Sequence, residues 1–309
     1  TESIISRQRR TGIALGSVRF AGQNAVFLFM LLSCCLLIPC TKEEKQMSAE
    51  NLIASAIIKR YSEKLASSLD LDVALVGGGP SALVAARALA AAGFKTAIFE
   101  KNLAPGGGIW GGGMLFNEAV VQDNALPILS SFDITTKPVP GAEGYYTLDS
   151  VEMASGLIFG ALRAGARIFN SVSVEDIIFK NGKVNGLVIN WTMVKRQSMP
   201  VDPLTVVAEI VVDATGHPSE ILKYASEKAQ VKLDTASGGI VGEKPMWVDA
   251  GEAATVENTR EYYPGLFACG MSATNAAGGY RMGPIFGGML LSGQKVAAQI
   301  AEKLRAKRA

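Results

Sequence analysis

His217 is the sole histidine of a 309-residue chain, and Asp202 precedes it by fifteen positions. An imidazole nitrogen and a carboxylate oxygen together suit a divalent iron with open coordination positions. Two protein ligands are too few for a closed site, so substrate atoms or water must complete it. Blander readings stand beside this one: a lone histidine at a strand end caps or hydrogen-bonds, and an Asp before Pro203 makes a turn. Arg281 offers a second chemistry, standing in the run Ala276-Ala277-Gly278-Gly279-Tyr280-Arg281-Met282-Gly283-Pro284. A guanidinium in a Gly-rich loop can clamp a carboxylate through two parallel hydrogen bonds. An ordinary surface arginine is the alternative. Cys269, flanked by apolar residues, reads as an inert buried thiol rather than a nucleophile.

A third constellation concerns phosphate. Gly77-x-Gly79-x-x-Ala82 follows an apolar run and opens an Ala-rich one. Here the first glycine makes a tight turn, the second lets a pyrophosphate approach the backbone, and the small residue at 82 packs helix on strand. The free N–H groups and positive end of the following helix attract phosphate. Glu100 ends the next apolar run, where a carboxylate can accept from a ribose diol. An adenine dinucleotide is therefore expected. The late segment Phe267-Ala268-Cys269-Gly270-Met271 resembles the flavin-contacting strand of glutathione-reductase-related flavoproteins. Met271 stands where those proteins carry an Asp, which suggests the fold without the flavin.

The elements that must position these groups follow from periodicity and punctuation. Ser48 is a candidate helix cap, and Ile53, Ile57, Tyr61 and Leu65 mark one helical face. Strands are expected at Asp72–Val76 and Thr96–Glu100, around a helix from Pro80 to Ala92 that Gly93 ends. Gly106 to Gly113 is a Gly-rich loop. Further on, Ser150–Ala164 reads as helix. Val172–Phe179, Asn181-Gly182 and Val184–Trp191 read as a hairpin with a type I′ turn. A strand at Ala208–Val212, a core strand at Gly265–Gly270 and a closing helix from Gly283 to Arg305 complete the reading. The fold class is α/β, a Rossmann-like dinucleotide-binding fold of the glutathione-reductase-related type. The main domain is placed at 47–309, with 70–115 and 205–309 as its binding core. An inserted β-rich and helical substrate region is expected at 116–204.

Apolar residues make up 49% of the chain and Gly numbers 33, as in a packed α/β protein rich in backbone-critical turns. Residues 1–46 carry a net +3, so the remainder carries −1 of a total +2. That body lacks the basic excess of a nucleic-acid binder. Three of the four cysteines, Cys34, Cys35 and Cys40, lie in the N-terminal segment. The rest cannot build a disulfide framework, so a reducing, cytoplasmic setting is expected. The segment itself has two readings. Arg7, Arg9 and Arg10 before the apolar run Ala25–Ile38 look like a signal or short anchor, though short for a bilayer span. Met47-Ser48 instead looks like an ordinary start, with the preceding residues a mis-translated upstream region.

Taken in order, these motifs resemble the thiamine thiazole synthase family, its archaeal-type, sulfide-dependent branch in particular. The carrying stretches are Val76–Ser81, Phe99-Glu100-Lys101, Pro105–Gly113 and Asn190-Trp191-Thr192. Val201–Thr205, Val212–His217 and the Gly278–Gly288 run continue the series. The resemblance implies a transferase that takes NAD, glycine and sulfide to an ADP-linked thiazole carboxylate with loss of nicotinamide. It implies Asp202 and His217 as the catalytic Fe(II) ligands and Arg281 as the clamp for the glycine carboxylate. Gly77, Gly79, Ser81, Glu100, Lys101, Gly108, Val172 and Met271 match dinucleotide-contact positions. It further implies a homo-octamer in which Asp202 reaches into a neighbouring subunit. One departure stands out. The self-sacrificing branch has a sulfur-donating Cys two residues before the metal Asp, and the archaeal type has His. This chain has Pro200, which can do neither job, so free sulfide and multiple turnovers are expected. An FAD- or NAD-dependent oxidoreductase and a ribose-1,5-bisphosphate isomerase-like enzyme of the same fold are alternatives, and a non-catalytic NAD-binding protein with a decayed site is a third.

Overall fold

The computed structural model describes residues 47–309, and the two readings of residues 1–46 lie outside the described residues. The first helix, α1 (Ala49–Ala66), is capped at Ser48, whose hydroxyl accepts a long hydrogen bond from Asn51 N–H at 3.4 Å. The expected four-residue face is divided. Tyr61 and Leu65 pack on buried core residues, whereas Ile53 and Ile57 are exposed.

β1 (Asp70–Val76) alternates its side chains between two cores: Val73 and Leu75 enter one, Ala74 and Val76 the other. A strand covered on both faces reads as near-continuous apolar sequence, which is the mark of a parallel sheet. The helix α2 (Pro80–Ala91) follows the glycine turn with Pro at its start, where no N–H is needed. It ends in a Schellman arrangement: Phe94 N–H donates to Leu89 C=O and Gly93 N–H to Ala90 C=O, with Gly93 at φ +84°. β2 (Thr96–Glu100) then pairs parallel with β1.

Next come β3 (Glu118–Gln122), β4 (Lys137–Pro138) and β5 (Tyr145–Asp149), which form a separate three-stranded antiparallel sheet. Asp149 caps α3 (Ser150–Arg163), accepting from Val151 and Glu152 N–H, both at 2.8 Å. The main sheet resumes with β6 (Arg167–Asn170), parallel to β2. β7 (Val172–Lys180) and β8 (Lys183–Trp191) form the expected hairpin, with Asn181 and Gly182 at φ +52° and +70° as a type I′ turn demands. Within the region expected as an insertion at 116–204, the strands divide between two sheets. Only β3–β5 stand apart, because β6 and the hairpin find their backbone partners in the main sheet.

β9 (Leu204–Asp213) is longer than the strand expected at Ala208–Val212. Its first half pairs antiparallel with β8, and from Val207 onward it runs parallel to β1. β10 (Lys244–Met246), α4 (Val248–Glu257), β11 (Arg260–Tyr263) and β12 (Leu266–Ala268) follow. The chain closes with α5 (Met271–Ala277), β13 (Tyr280–Arg281) and α6 (Gly287–Arg308), whose start lies four residues beyond the expected one. The central order is β11-β12-β9-β1-β2-β6, with β10 and β13 paired separately. Helices α2, α3 and α6 cover one face of this mixed α/β sheet, and the β7–β8 hairpin covers the other. Among the described residues no helix is long and apolar enough to cross a membrane.

Candidate active site

The carboxyl ends of parallel strands are where open α/β sheets hold ligands. Here β1, β2 and β9 end together, and two cavities open over them that share Gly107 and Thr215. The smaller, of about 110 Å³, is lined by Gly77, Glu100, Lys101 and Val172 among others. The larger, of about 550 Å³, takes in Gly79, Gly108, Met271, His217 and Arg281. The expected dinucleotide positions thus divide between two neighbouring compartments. Ser81 is the exception. It lies buried under the turn, and a side chain at Gly270 would strike its hydroxyl at 2.5 Å.

Two glycines of the turn have different reasons to be glycine. Gly77 sits at φ +94°, and a Cβ there would lie 2.4 Å from Ala214 O, so the turn is pressed against the end of β9. Gly79 has ordinary backbone angles and open space where its Cβ would be, which leaves the first turn of α2 accessible from the cavity. Glu100 is buried and holds this turn from below. Its Oε2 accepts from Gly78 N–H at 2.6 Å and its Oε1 from Asn102 N–H at 2.7 Å. Lys101 pairs with Glu220 at 2.6 Å.

The loop after β9 carries His217, and Asp213 shapes that loop. The buried Asp213 carboxylate accepts from Thr215 N–H and Oγ1, Ser272 Oγ, and the Ile221 and Leu222 N–H groups, between 2.7 and 3.0 Å. Burial pushes this carboxyl above its ordinary value, against the pull of those donors. Arg281 comes from β13, which pairs with β10. Between them stands Glu243, which no motif had marked. Its Oε1 lies 2.5 Å from His217 Nδ1 and its Oε2 lies 3.8 Å from Arg281 Nε. Cys269 is buried in the apolar core, and burial together with the Asp213 charge pushes its thiol up, which leaves it unreactive.

Asp202 is not part of this cluster. It is exposed, with Pro200, in the loop before β9, at the opposite end of the strand from His217. Among the described residues of one chain, no three His, Cys, Asp or Glu side chains gather as a metal site. Apolar side chains are exposed near both places. Met199, Val201 and Leu204 flank Asp202 in sequence, while Met114 and Met246 stand at the large cavity.

Fold and cavities together define an α/β protein with a cleft at the carboxyl ends of its parallel strands. Residues 54–286 match the model of the Thi4 family, and the chain belongs to that family. It is 52% identical over 255 residues to a thiamine thiazole synthase of Desulfosudis oleivorans, an alignment covering 82% of this chain and 98% of that protein. It is 50% identical over 253 residues to the thiamine thiazole synthase of Methanothermobacter thermautotrophicus, covering 82% and 97%. Among solved structures, that of Thermovibrio ammonificans THI4 superposes with a TM-score of 0.82 at 48% identity, covering 84% of this chain and 100% of that one.

Proposed function

We propose that this chain is a thiamine thiazole synthase that converts NAD, glycine and sulfide into an ADP-linked thiazole carboxylate, with Fe(II) and over many turnovers. The observation that carries the reading is the convergence of His217 and Arg281 on one cavity that shares Gly107 and Thr215 with a glycine-turn compartment. On this reading the fold is the glutathione-reductase-related dinucleotide-binding type, used for NAD as substrate.

The small compartment receives the adenosine half. Lys101 and Val172 line it, and Glu100, already holding Gly78, has lone pairs left for a ribose hydroxyl. The pyrophosphate lies over Gly79 and the free N–H groups at the start of α2. Gly108 and Met271 wall the larger compartment, where the ribose end of the dinucleotide meets glycine. Arg281 binds the glycine carboxylate with its planar fork, which orients the amine toward the ribose.

The donor set fits an iron held between two copies of the chain. His217 uses Nδ1 on Glu243, which leaves Nε2 for a metal. Asp202 stands too far along β9 to join it within one chain, so it serves the cavity of a second copy, within a homo-octamer. The exposed apolar residues beside Asp202 and at the cavity supply the contact surfaces such an assembly buries. Bound there, iron supplies a template and a Lewis acid. Pro200 lacks any sulfur or proton to give, so sulfur comes from free sulfide.

Anaerobic incubation of the protein with NAD, glycine, sulfide and Fe(II), followed by mass analysis of adenylated products, tests the reading. A thiazole adduct that vanishes with His217→Ala is the expected result. An adduct formed equally well by that variant, or none from the wild type, would overturn it.

A further inference from the structure

Glu243 is the residue that the chemistry above does not yet employ, and its place is specific. It is held from both sides: Gly242 N–H donates to Asn275 C=O at 3.0 Å and Lys244 N–H to Gly279 C=O at 2.9 Å. Gly242 itself is at φ +94°, a backbone setting that turns the chain into β10. The Glu243 side chain is 15% exposed, while those of His217 and Arg281 are each 54% exposed. A covered, anchored carboxylate thus hydrogen-bonds one side chain that reaches out into the cavity and stands at ion-pair distance from the other, with one oxygen toward each.

We propose that Glu243 is a positioning residue that fixes the tautomer of His217 and the aim of Arg281, and so couples the metal ligand to the carboxylate clamp. A carboxylate only accepts hydrogen bonds, so the proton of the His217–Glu243 contact resides on Nδ1. Neutral His217 is then left with a bare Nε2 lone pair on its far side, ready to ligate. Metal-binding histidines commonly donate their second ring N–H to a carboxylate, and loss of that partner weakens metal binding by about 10–100-fold. The contact to Arg281 is through Nε, which leaves the two terminal nitrogens for two-point recognition of a carboxylate ligand. This inference rests on the functional reading for its iron and its glycine, but the tautomer is a property of the metal-free chain.

Because His217 is the chain's sole histidine, an imidazole-¹⁵N spectrum of untagged, metal-free protein reports on it alone. Wild type is expected to show the proton on Nδ1 and a bare Nε2. Glu243→Ala should shift the population toward the Nε2–H form, weaken Fe(II) binding by about 10–100-fold in a direct titration, and raise the KM for glycine. Glu243→Gln keeps one acceptor oxygen but replaces the other with an amide donor, so it should restore the tautomer and the Fe(II) affinity in part. It also serves if the alanine variant folds poorly. An imidazole spectrum and Fe(II) affinity unchanged in Glu243→Ala would overturn the proposal, as would a neutral wild-type imidazole that carries its one proton on Nε2. A wild type that binds no Fe(II), with a tautomer that still follows Glu243, would instead remove the functional reading and leave the positioning role standing.

Discussion

Asp202 and His217 stand at opposite ends of β9, Asp202 before its first residue, Leu204, and His217 beyond its last, Asp213. Ten extended residues span about 30 Å, so the two side chains cannot share an ion within one chain. The proposed sharing of the site between copies makes a sharp prediction. Asp202→Ala and His217→Ala are each expected to be inactive alone. Co-expressed and purified as mixed oligomers, they should regain activity, because some sites combine the intact Asp202 of one copy with the intact His217 of another. Random mixing leaves about a quarter of the sites complete in a symmetric assembly. Mixed oligomers as dead as either parent would remove Asp202 from the site.

The glycine turn separates folding from binding. A side chain at Gly77 meets Ala214 O at 2.4 Å and must also take φ +94°, so Gly77→Ala should cost about 1–3 kcal/mol and lower Tm. Gly79→Ala has space and normal angles, so its Tm should stay within about a degree or two of wild type, or rise slightly. Its methyl group nevertheless occupies the surface over which we propose that the pyrophosphate lies. Calorimetric titration with NAD should therefore show weakened binding in Gly79→Ala at unchanged stability. A variant binding NAD like wild type would place the pyrophosphate elsewhere.

Much of this arrangement was legible in the sequence, and for local reasons. The unit β1–turn–α2–β2 announces itself through continuous apolar runs, a Gly-Gly-Gly turn, a helix-opening Pro80 and a helix-closing Gly93. The β7–β8 hairpin is likewise written in Asn181-Gly182, both of which adopt the positive φ expected of them. The sheet β3–β5 was not foreseen, since β4 is two residues long and β3 and β5 bury only one face each. Glu243 was invisible for a different reason. Its partners lie 26 and 38 positions away, and only the pairing of β10 with β13 and the Asp213-shaped loop bring them together. The separation of Asp202 from His217 could be anticipated from the strand between them, but not the length of that strand.

Cys269 should be chemically silent. In a chain beginning at Met47 it is the one thiol, and it is 1% exposed with its thiolate disfavoured by burial and by Asp213. Only the thiolate attacks alkylating reagents. Intact-mass analysis after treatment with iodoacetamide at pH 8 should show no adduct on the native protein and one on the unfolded protein. The same analysis after many turnovers should find the mass of the chain unchanged, as expected if sulfide rather than the protein supplies sulfur. Loss of mass in step with product would point to a sacrificial thiol.

Glu252 is expected to give the fold a pH dependence of its own. It lies on α4, 5% exposed, with its carboxyl against the start of α6, where Oε2 accepts from Gly288 N–H at 2.7 Å and Oε1 has no partner among the described residues. The helix N-terminus favours the charged form. Burial outweighs it and pushes the carboxyl up to about 7 from an ordinary 4.5. Between those values the folded protein keeps a proton that the unfolded chain has released. Stability from this group is therefore fully present below pH 4.5, falls as pH rises toward 7, and is lost above it. The whole loss is about 3 kcal/mol at most. Glu252→Gln cannot ionise, so the fall between pH 5 and pH 8 should flatten. Urea unfolding of wild type and variant at both pH values measures this directly. Equal pH slopes in the two proteins would mean that Glu252 is already charged in the fold.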